Sequence, residues 1–261
     1  MTRALTLTIT ACAFGFILAP IVFVIVMSFS ADNYIAFPPS GWSLRWYGAL
    51  LGHGPLMAAF GVSLRLAALV TAIALALGLP AAYAIARLPL PGREAIYAFV
   101  TAPQLIPSIV LGLALLLALA PLRLIATPQG VVVAHVLIAL PFVVRVLVTA
   151  LSSAASDIEE AAATLGASPL RVFRRITLPL AAPGVLAAAA LAFIVSFDET
   201  VVTLFLTGPR LYTLPIEVFN YVARQADPLV AALSVLLLAA TAAVVVTIER
   251  TLGLVRVVGS R

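Results

Sequence analysis

The feature that most limits what this chain can fold into is a series of long apolar runs almost free of charge. Residues 4–31 and 66–86 carry no charged side chain, and a third such run lies within 95–122. A fourth spans 124–144 and slightly beyond, and a sixth spans 228–248. The fifth runs from Pro183 to about Thr207 and differs from the others in holding two acids, Asp198 and Glu199. A helix needs about 20 apolar residues to cross the hydrocarbon of a bilayer. Backbone polar groups there must be satisfied within their own segment, so each run is expected to be a helix. The chain is 64% hydrophobic and 10% charged, against about 25% charged in soluble domains. The fold class is therefore all-α: a polytopic membrane protein of six transmembrane helices, with residues 1–261 as one domain. The first run is longer than the roughly 7–15 apolar residues of a signal peptide, so it is expected to remain as a span.

Six spans place both ends of the chain on one side, and Arg counts choose the side. All fifteen basic residues are Arg. Arg3, Arg87, Arg93, Arg171, Arg174, Arg175, Arg250, Arg256 and Arg261 fall with the termini and the loops 87–94 and 152–176. Arg45, Arg65, Arg123, Arg210 and Arg224 fall opposite. Both termini are thus expected in the cytoplasm. Arg145 lies within the fourth span, close enough to its cytoplasmic end to snorkel.

The net charge of +5 does not indicate nucleic acid, because the Arg are dispersed between apolar spans. Cys12 stands alone, and His53 and His135 are far apart, so no disulfide or metal-ligand pattern arises. A single His in an apolar helix is ordinarily a satisfied packing residue. No P-loop, HExxH or GxSxG is present, so no catalytic residue, metal or cofactor is expected in this chain.

The longest cytoplasmic loop, within 156–180, reads as two short helices around a sharp turn. Ser156 and Glu159 have capping-box spacing. Gly166 suits a left-handed helix stop. Ser168-Pro169 is expected to restart a helix, with Ser as N-cap and Pro at the first position. Pro179 and Pro183 are expected to end it before the fifth span. An amphipathic segment anchored on anionic lipid by Arg171, Arg174 and Arg175 is the plain alternative.

In the fifth span, read as one regular helix, Ser196, Glu199, Thr200, Thr203 and Thr207 form a narrow polar stripe. Glu199 would face that stripe and line a wet pathway. Asp198, on the far side, would pair with an Arg of a neighbouring helix, or face the pathway if the helix kinks. Each ionised acid costs about 2.5–3.5 kcal/mol near a bilayer centre. Either a cationic solute supplies the counter-charge, or an internal salt bridge to Arg65, Arg145 or a partner subunit does. Tyr212 and Glu217, with Asn220 and Tyr221, lie in an outer segment, where they mark the membrane interface or touch solute at a pathway mouth.

The loop also resembles the EAA motif of ABC-importer permeases: E-A-A, three residues, G, nine residues, I, one residue, L-P. Here these positions are Glu160, Ala161, Ala162, Gly166, Ile176, Leu178 and Pro179. LPFVVR from Leu140 to Arg145, the SFDE run and TLP from Thr213 to Pro215 extend the likeness over roughly residues 60–250. Together they resemble the spermidine/putrescine-type importer permeases, and in particular the shorter of the two permease subunits. The resemblance implies a type I ABC importer transmembrane domain in a bacterial inner membrane. It implies as partners a second homologous permease, two cytoplasmic ATPase subunits that use the ATP, and an extracytoplasmic solute-binding protein. It makes the loop the coupling element that docks on the ATPase, and Asp198, Glu199, Ser196, Thr203, Tyr212 and Glu217 the candidate solute pathway. The expected cargo is a polyamine or related organic cation. Another solute, such as iron or an anion, is the runner-up. An ion-coupled secondary transporter fits less well, because it has no ATPase for the EAA loop to meet.

Overall fold

The computed structural model describes residues 3–153, 156–208 and 211–252. In chain order the helices are α1 (Arg3–Ser28), α2 (Arg45–Gly52), α3 (Gly54–Arg87), α4 (Arg93–Thr101), α5 (Ser108–Leu119) and α6 (Pro128–Ser153). They continue with α7 (Ser156–Thr164), α8 (Pro169–Val172), α9 (Leu178–Asp198), α10 (Val201–Leu206), α11 (Leu214–Arg224) and α12 (Leu229–Leu252). Strand pairing among the described residues is confined to isolated bridges, such as Ser30 with Trp42. The all-α expectation holds.

Four of these stretches are long and apolar enough to cross a membrane: Arg3–Ser28, Gly54–Arg87, Pro128–Ser152 and Pro169–Asp198. A fifth is made only by joining two helices across a 102° bend, Arg93–Leu105 and Ser108–Leu119. The last helix, α12, covers the charge-free run 228–248 from Leu229 onward. The bend corrects the expectation of a plain span within 95–122. Its cause is Pro107, which disfavours helical backbone in the preceding residue; Ile106 is extended, with φ −86° and ψ 129°.

The chain divides into two units, one of Met1–Ala58 with Glu217–Arg261 and one of Ala59–Ile216. In the first, α12 packs against α1 and α2. The α1 helix keeps much apolar surface outward, with Phe16 83% exposed and Ile17 65% exposed, as a lipid-facing helix would. In the loop after α1, Ser40 donates both its hydroxyl and its backbone N–H to the Asp32 carboxylate, which holds that carboxyl below its ordinary pKa.

In the second unit α6 is the central post. One stretch of it, Ala139, Val143, Leu147 and Leu151, packs with Val70, Ala74 and Ala82 of α3 and with Ala181, Ala188 and Ala192 of α9. Its opening turns, Val131 and Ala134, pack with Leu111, Leu115 and Leu119 of α5 and with Val202 and Leu206 of α10. Apolar burial alone drives little association in lipid, so close approach of small residues matters more. Gly184 of α9 shows how close: a Cβ there would overlap Ala150 Cβ of α6.

Two proline expectations fail. Pro179 and Pro183 do not end the helix that begins at Pro169, since Pro169–Asp198 runs as one membrane-length helix. A π-helical turn at Phe173–Thr177 intervenes, and Leu178 N–H reaches the Phe173 carbonyl. The wider turn relieves the clash that a regular helix would impose between the Pro179 ring and the carbonyl four residues earlier. In return, the fifth span is not one helix from Pro183 to Thr207. It breaks between α9 and α10, where Glu199 is extended at φ −67°, ψ 112°.

Gly184→Val is expected to force α9 off α6 and destabilise the protein by about 1–3 kcal/mol. Ala150→Gly should recover part of the loss. The thermal unfolding midpoints of the two single variants and the double variant test the contact; no recovery in the double variant would contradict it.

Candidate functional site

Neither Gly nor Pro stands at the break between α9 and α10. Side chains that bond to nearby backbone make it instead, offering polar groups an alternative to the helical ladder. The Thr200 hydroxyl donates to the Asp198 carbonyl at 3.1 Å. The Glu199 carboxylate accepts the Val202 N–H at 2.9 Å, capping the start of α10. The Thr203 hydroxyl donates to the Glu199 carbonyl at 2.7 Å, and Thr207 to the Thr203 carbonyl at 3.0 Å.

This removes the geometry of a continuous stripe, because Ser196 belongs to one helix and Thr203 to the next. The structure nevertheless brings those two together. His135 of α6 lies between them, with Nδ1 2.9 Å from Ser196 Oγ and Nε2 2.9 Å from Thr203 Oγ1. All three side chains are buried. The expectation of a satisfied His holds, but its partners are the candidate pathway residues themselves. The available signal was the pairing of a single His in α6 with two hydroxyls seven residues apart.

Asp198 closes α9 and is exposed, while Glu199 is half-buried. Among the described residues neither acid forms an ion pair with Arg65 or Arg145. Arg65 directs Nε to the Gly61 carbonyl at 3.0 Å, and Arg145 is exposed. The last carbonyls of a helix lack partners further along it and carry the negative end of its dipole. Those of α9 therefore add partial negative charge where the two acids stand.

Tyr212 lies in the segment before α11, half-buried, and no hydrogen bond among the described residues joins it to either acid. Glu217 is on α11, in the first unit, buried and 3.7 Å from Arg224 Nη2. Nearby, the Tyr221 hydroxyl donates to Asp227 at 2.7 Å, and burial followed by that bond raises its pKa well above the usual phenol value. His53 meets the Tyr221 ring edge-on at 5.3 Å. Glu217, Asn220 and Tyr221 thus share the short helix α11.

The 156–180 loop has the predicted turn. Gly166 adopts φ +85°. Its N–H bonds the Ala163 carbonyl at 2.9 Å, and Ala167 N–H bonds the Ala162 carbonyl at 3.0 Å. This is the paired closure of a helix ending in a left-handed residue. Pro169 opens α8 as expected, but Ser168 makes no side-chain cap bond and only its extended backbone marks the start. The expected capping box rests on the Ser156 side chain, which lies outside the described residues, as do Arg210, Arg256 and Arg261 of the orientation count. Glu160, Ala161, Gly166 and Pro179 are exposed; Ala162, Ile176 and Leu178 are half-buried. Arg87, counted above only for its charge, ends α3 and reaches Glu159 of α7 at 3.1 Å in a largely buried pair.

The sequence matches the model of the family described as binding-protein-dependent transport system inner membrane component, over residues 74–253. It is 36% identical over 241 residues to the putrescine transport system permease protein PotI of Escherichia coli (strain K12), covering 90% of this chain and 85% of that one. It is 31% identical over 225 residues to the spermidine/putrescine transport system permease protein PotC of the same organism, covering 86% and 85%. PhnV of Salmonella typhimurium, named for 2-aminoethylphosphonate transport, is 31% identical over 229 residues, covering 87% and 86%. Among solved structures, a bacterial ABC transporter involved in importing the acidic polysaccharide alginate superposes with a TM-score of 0.72. That likeness covers 96% of this chain and 98% of that one, at 16% identity. The MetNI methionine ABC transporter, in an inward-facing form, gives a TM-score of 0.60 over 79% and 96%, at 20% identity.

Glu199→Ala removes the acceptor that caps α10 and is expected to cost about 1 kcal/mol, as lost caps do. Glu199→Gln keeps an oxygen there and should retain most of the stability. Unfolding midpoints of the two variants decide; equal midpoints would contradict the capping role.

Proposed function

The chain belongs to the family of binding-protein-dependent transport system inner membrane components, and we propose that its cargo is a polyamine or a related organic cation. It is an ABC-importer permease rather than an enzyme, and permeases of this family work with an ATPase and a binding protein. In our reading the assembly is completed by a second homologous permease and two ATPase subunits. The chain crosses a bacterial inner membrane six times with both termini in the cytoplasm.

The observation that carries the cargo assignment is the broken helix. Where α9 stops, its negative dipole end, the exposed Asp198 carboxylate and the half-buried Glu199 stand together. Half-helix C-termini at breaks of this kind suit cations. A carboxylate and an ammonium 4 Å apart attract by roughly 4 kcal/mol at an effective dielectric of 20. That is comparable to the cost of keeping one acid within the membrane. The names of PotI and PotC support the same cargo class. PhnV supports a second reading, an amino-phosphonate, whose ammonium would meet the same acids while its anionic end would need another site.

The loop supports coupling to the ATPase. Leu165 is 89% exposed beside the Gly166 turn and Leu170 63% exposed beyond it, apolar surface of the kind a docking partner covers. The helix that leaves this loop at Pro169 ends at Asp198, so one rod joins the docking end to the acids.

Asp198→Asn keeps the shape of the side chain and removes its charge. Losing about 1.4–3 kcal/mol of attraction should lower uptake of radiolabelled putrescine roughly 10- to 150-fold at limiting solute. Uptake is normalised to assembled complex in proteoliposomes, and wild-type rates in this variant would overturn the counter-charge reading. Unaltered 2-aminoethylphosphonate uptake together with absent putrescine uptake in the parent complex would select the second reading.

Gly166→Val tests coupling. A β-branched residue at that φ strains the turn, so uptake and solute-stimulated ATP hydrolysis should fall together while membrane insertion persists. Full uptake would remove the coupling role from this turn.

A further inference from the structure

We infer that His135 is a positioning residue for the cation site, pinning the two halves of the broken helix and so setting where Asp198 and Glu199 stand. The inference rests on the reading of those acids as counter-charges for an ammonium.

The hydrogen bonds around the ring run in one direction. Thr203 has a single hydroxyl proton, which it gives to the Glu199 carbonyl at 2.7 Å. Its oxygen must therefore accept from His135 Nε2–H, 2.9 Å away. In the neutral ring Nδ1 is then the acceptor, and the Ser196 hydroxyl at 2.9 Å is its donor. A ring protonated on both nitrogens would bury a charge with no acid hydrogen-bonded to it. The relay runs from Ser196 O–H to Nδ1, from Nε2–H to Thr203, and from Thr203 O–H to the carbonyl of Glu199.

Its two ends bracket the acids. Ser196 lies two residues before Asp198 in the last turn of α9, and the far end is the Glu199 backbone itself. The other buried positions on this part of α6 are Val131, Ala134 and Ala139, so packing alone does not call for an imidazole. Ser196, His135 and Thr203 are 3%, 1% and 0% exposed. None of the three relay side chains reaches the surface, so the ring acts on the solute only through where it holds the break.

Two measurements on the assembled complex in lipid test this. In the first, histidine is labelled with ¹⁵N and the His135 signals are identified by their loss in His135→Gln. The expected spectrum is a neutral ring with its proton on Nε2; a proton on Nδ1, or on both nitrogens, overturns the relay. In the second, putrescine uptake is measured per assembled complex. Thr203→Val and the milder Ser196→Ala should raise KM about tenfold, as expected when a buried polar partner is lost, with little change in maximal rate. Thr203→Ser, which restores the hydroxyl, should return KM to the parent value. A fall in maximal rate at constant KM, or a Thr203→Ser variant as impaired as Thr203→Val, overturns the positioning role. Unchanged KM in the relay variants beside a defective Asp198→Asn removes this inference alone. A normal Asp198→Asn removes the counter-charge reading and the inference with it.

Discussion

A helix that stops leaves backbone groups that need partners, a requirement that arises at the break between α9 and α10. Between Asp198 and Val201 the chain meets it with its own side chains. Thr200 bonds the Asp198 carbonyl, Glu199 caps Val202, and Thr203 takes the Glu199 carbonyl. These bonds account for half-buried Glu199, whose carboxylate has one structural duty already. They leave Asp198 at the tip of α9, exposed and without an ion pair among the described residues. A division of labour between adjacent acids follows: one oxygen of Glu199 holds the break open, and Asp198 presents charge.

The opposite end of the same helix lies in the 156–180 loop. From Pro169 to Asp198 the chain is one rod of about 45 Å at 1.5 Å per residue. Its π-helical turn keeps it continuous through Pro179 and lies beside Tyr83 of α3, whose ring meets Phe173 edge-on at 5.1 Å. Arg87, at the end of α3, holds Glu159 of α7. The loop is thus fixed to two membrane helices, through a salt bridge on one side and a continuous backbone on the other. Only Ala167 and Ser168 separate the Gly166 turn from the helix that ends at Asp198.

Much of this was legible in the sequence, for reasons that can be named. The absence of charge over 4–31 and 66–86 pointed to helices there, because a continuous apolar run in lipid must satisfy its backbone within its own segment and lacks the alternation of a barrel strand. Gly166 was readable because a left-handed stop tolerates few other residues. The break at Glu199 was not, since its makers are Thr and Glu, which are equally at home on a polar helix stripe. Pro179 misled in the other direction: the expected stop at proline ignores the π turn at Phe173–Thr177 just before it, and Pro183 lies within the α-helix α9. His135 was visible as a single residue, but its role depends on α6 lying against both halves of the break, which no local spacing encodes.

The central claim is that the broken helix receives the ammonium of the cargo. The most direct measurement is an electron cryomicroscopy map of the assembled importer trapped with putrescine in its membrane path. The account predicts density for the solute with one ammonium about 3 Å from the Asp198 carboxylate, beside the closing carbonyls of α9. Solute density away from the break, with Asp198 ion-paired to an Arg of this chain or of a partner subunit, would contradict it.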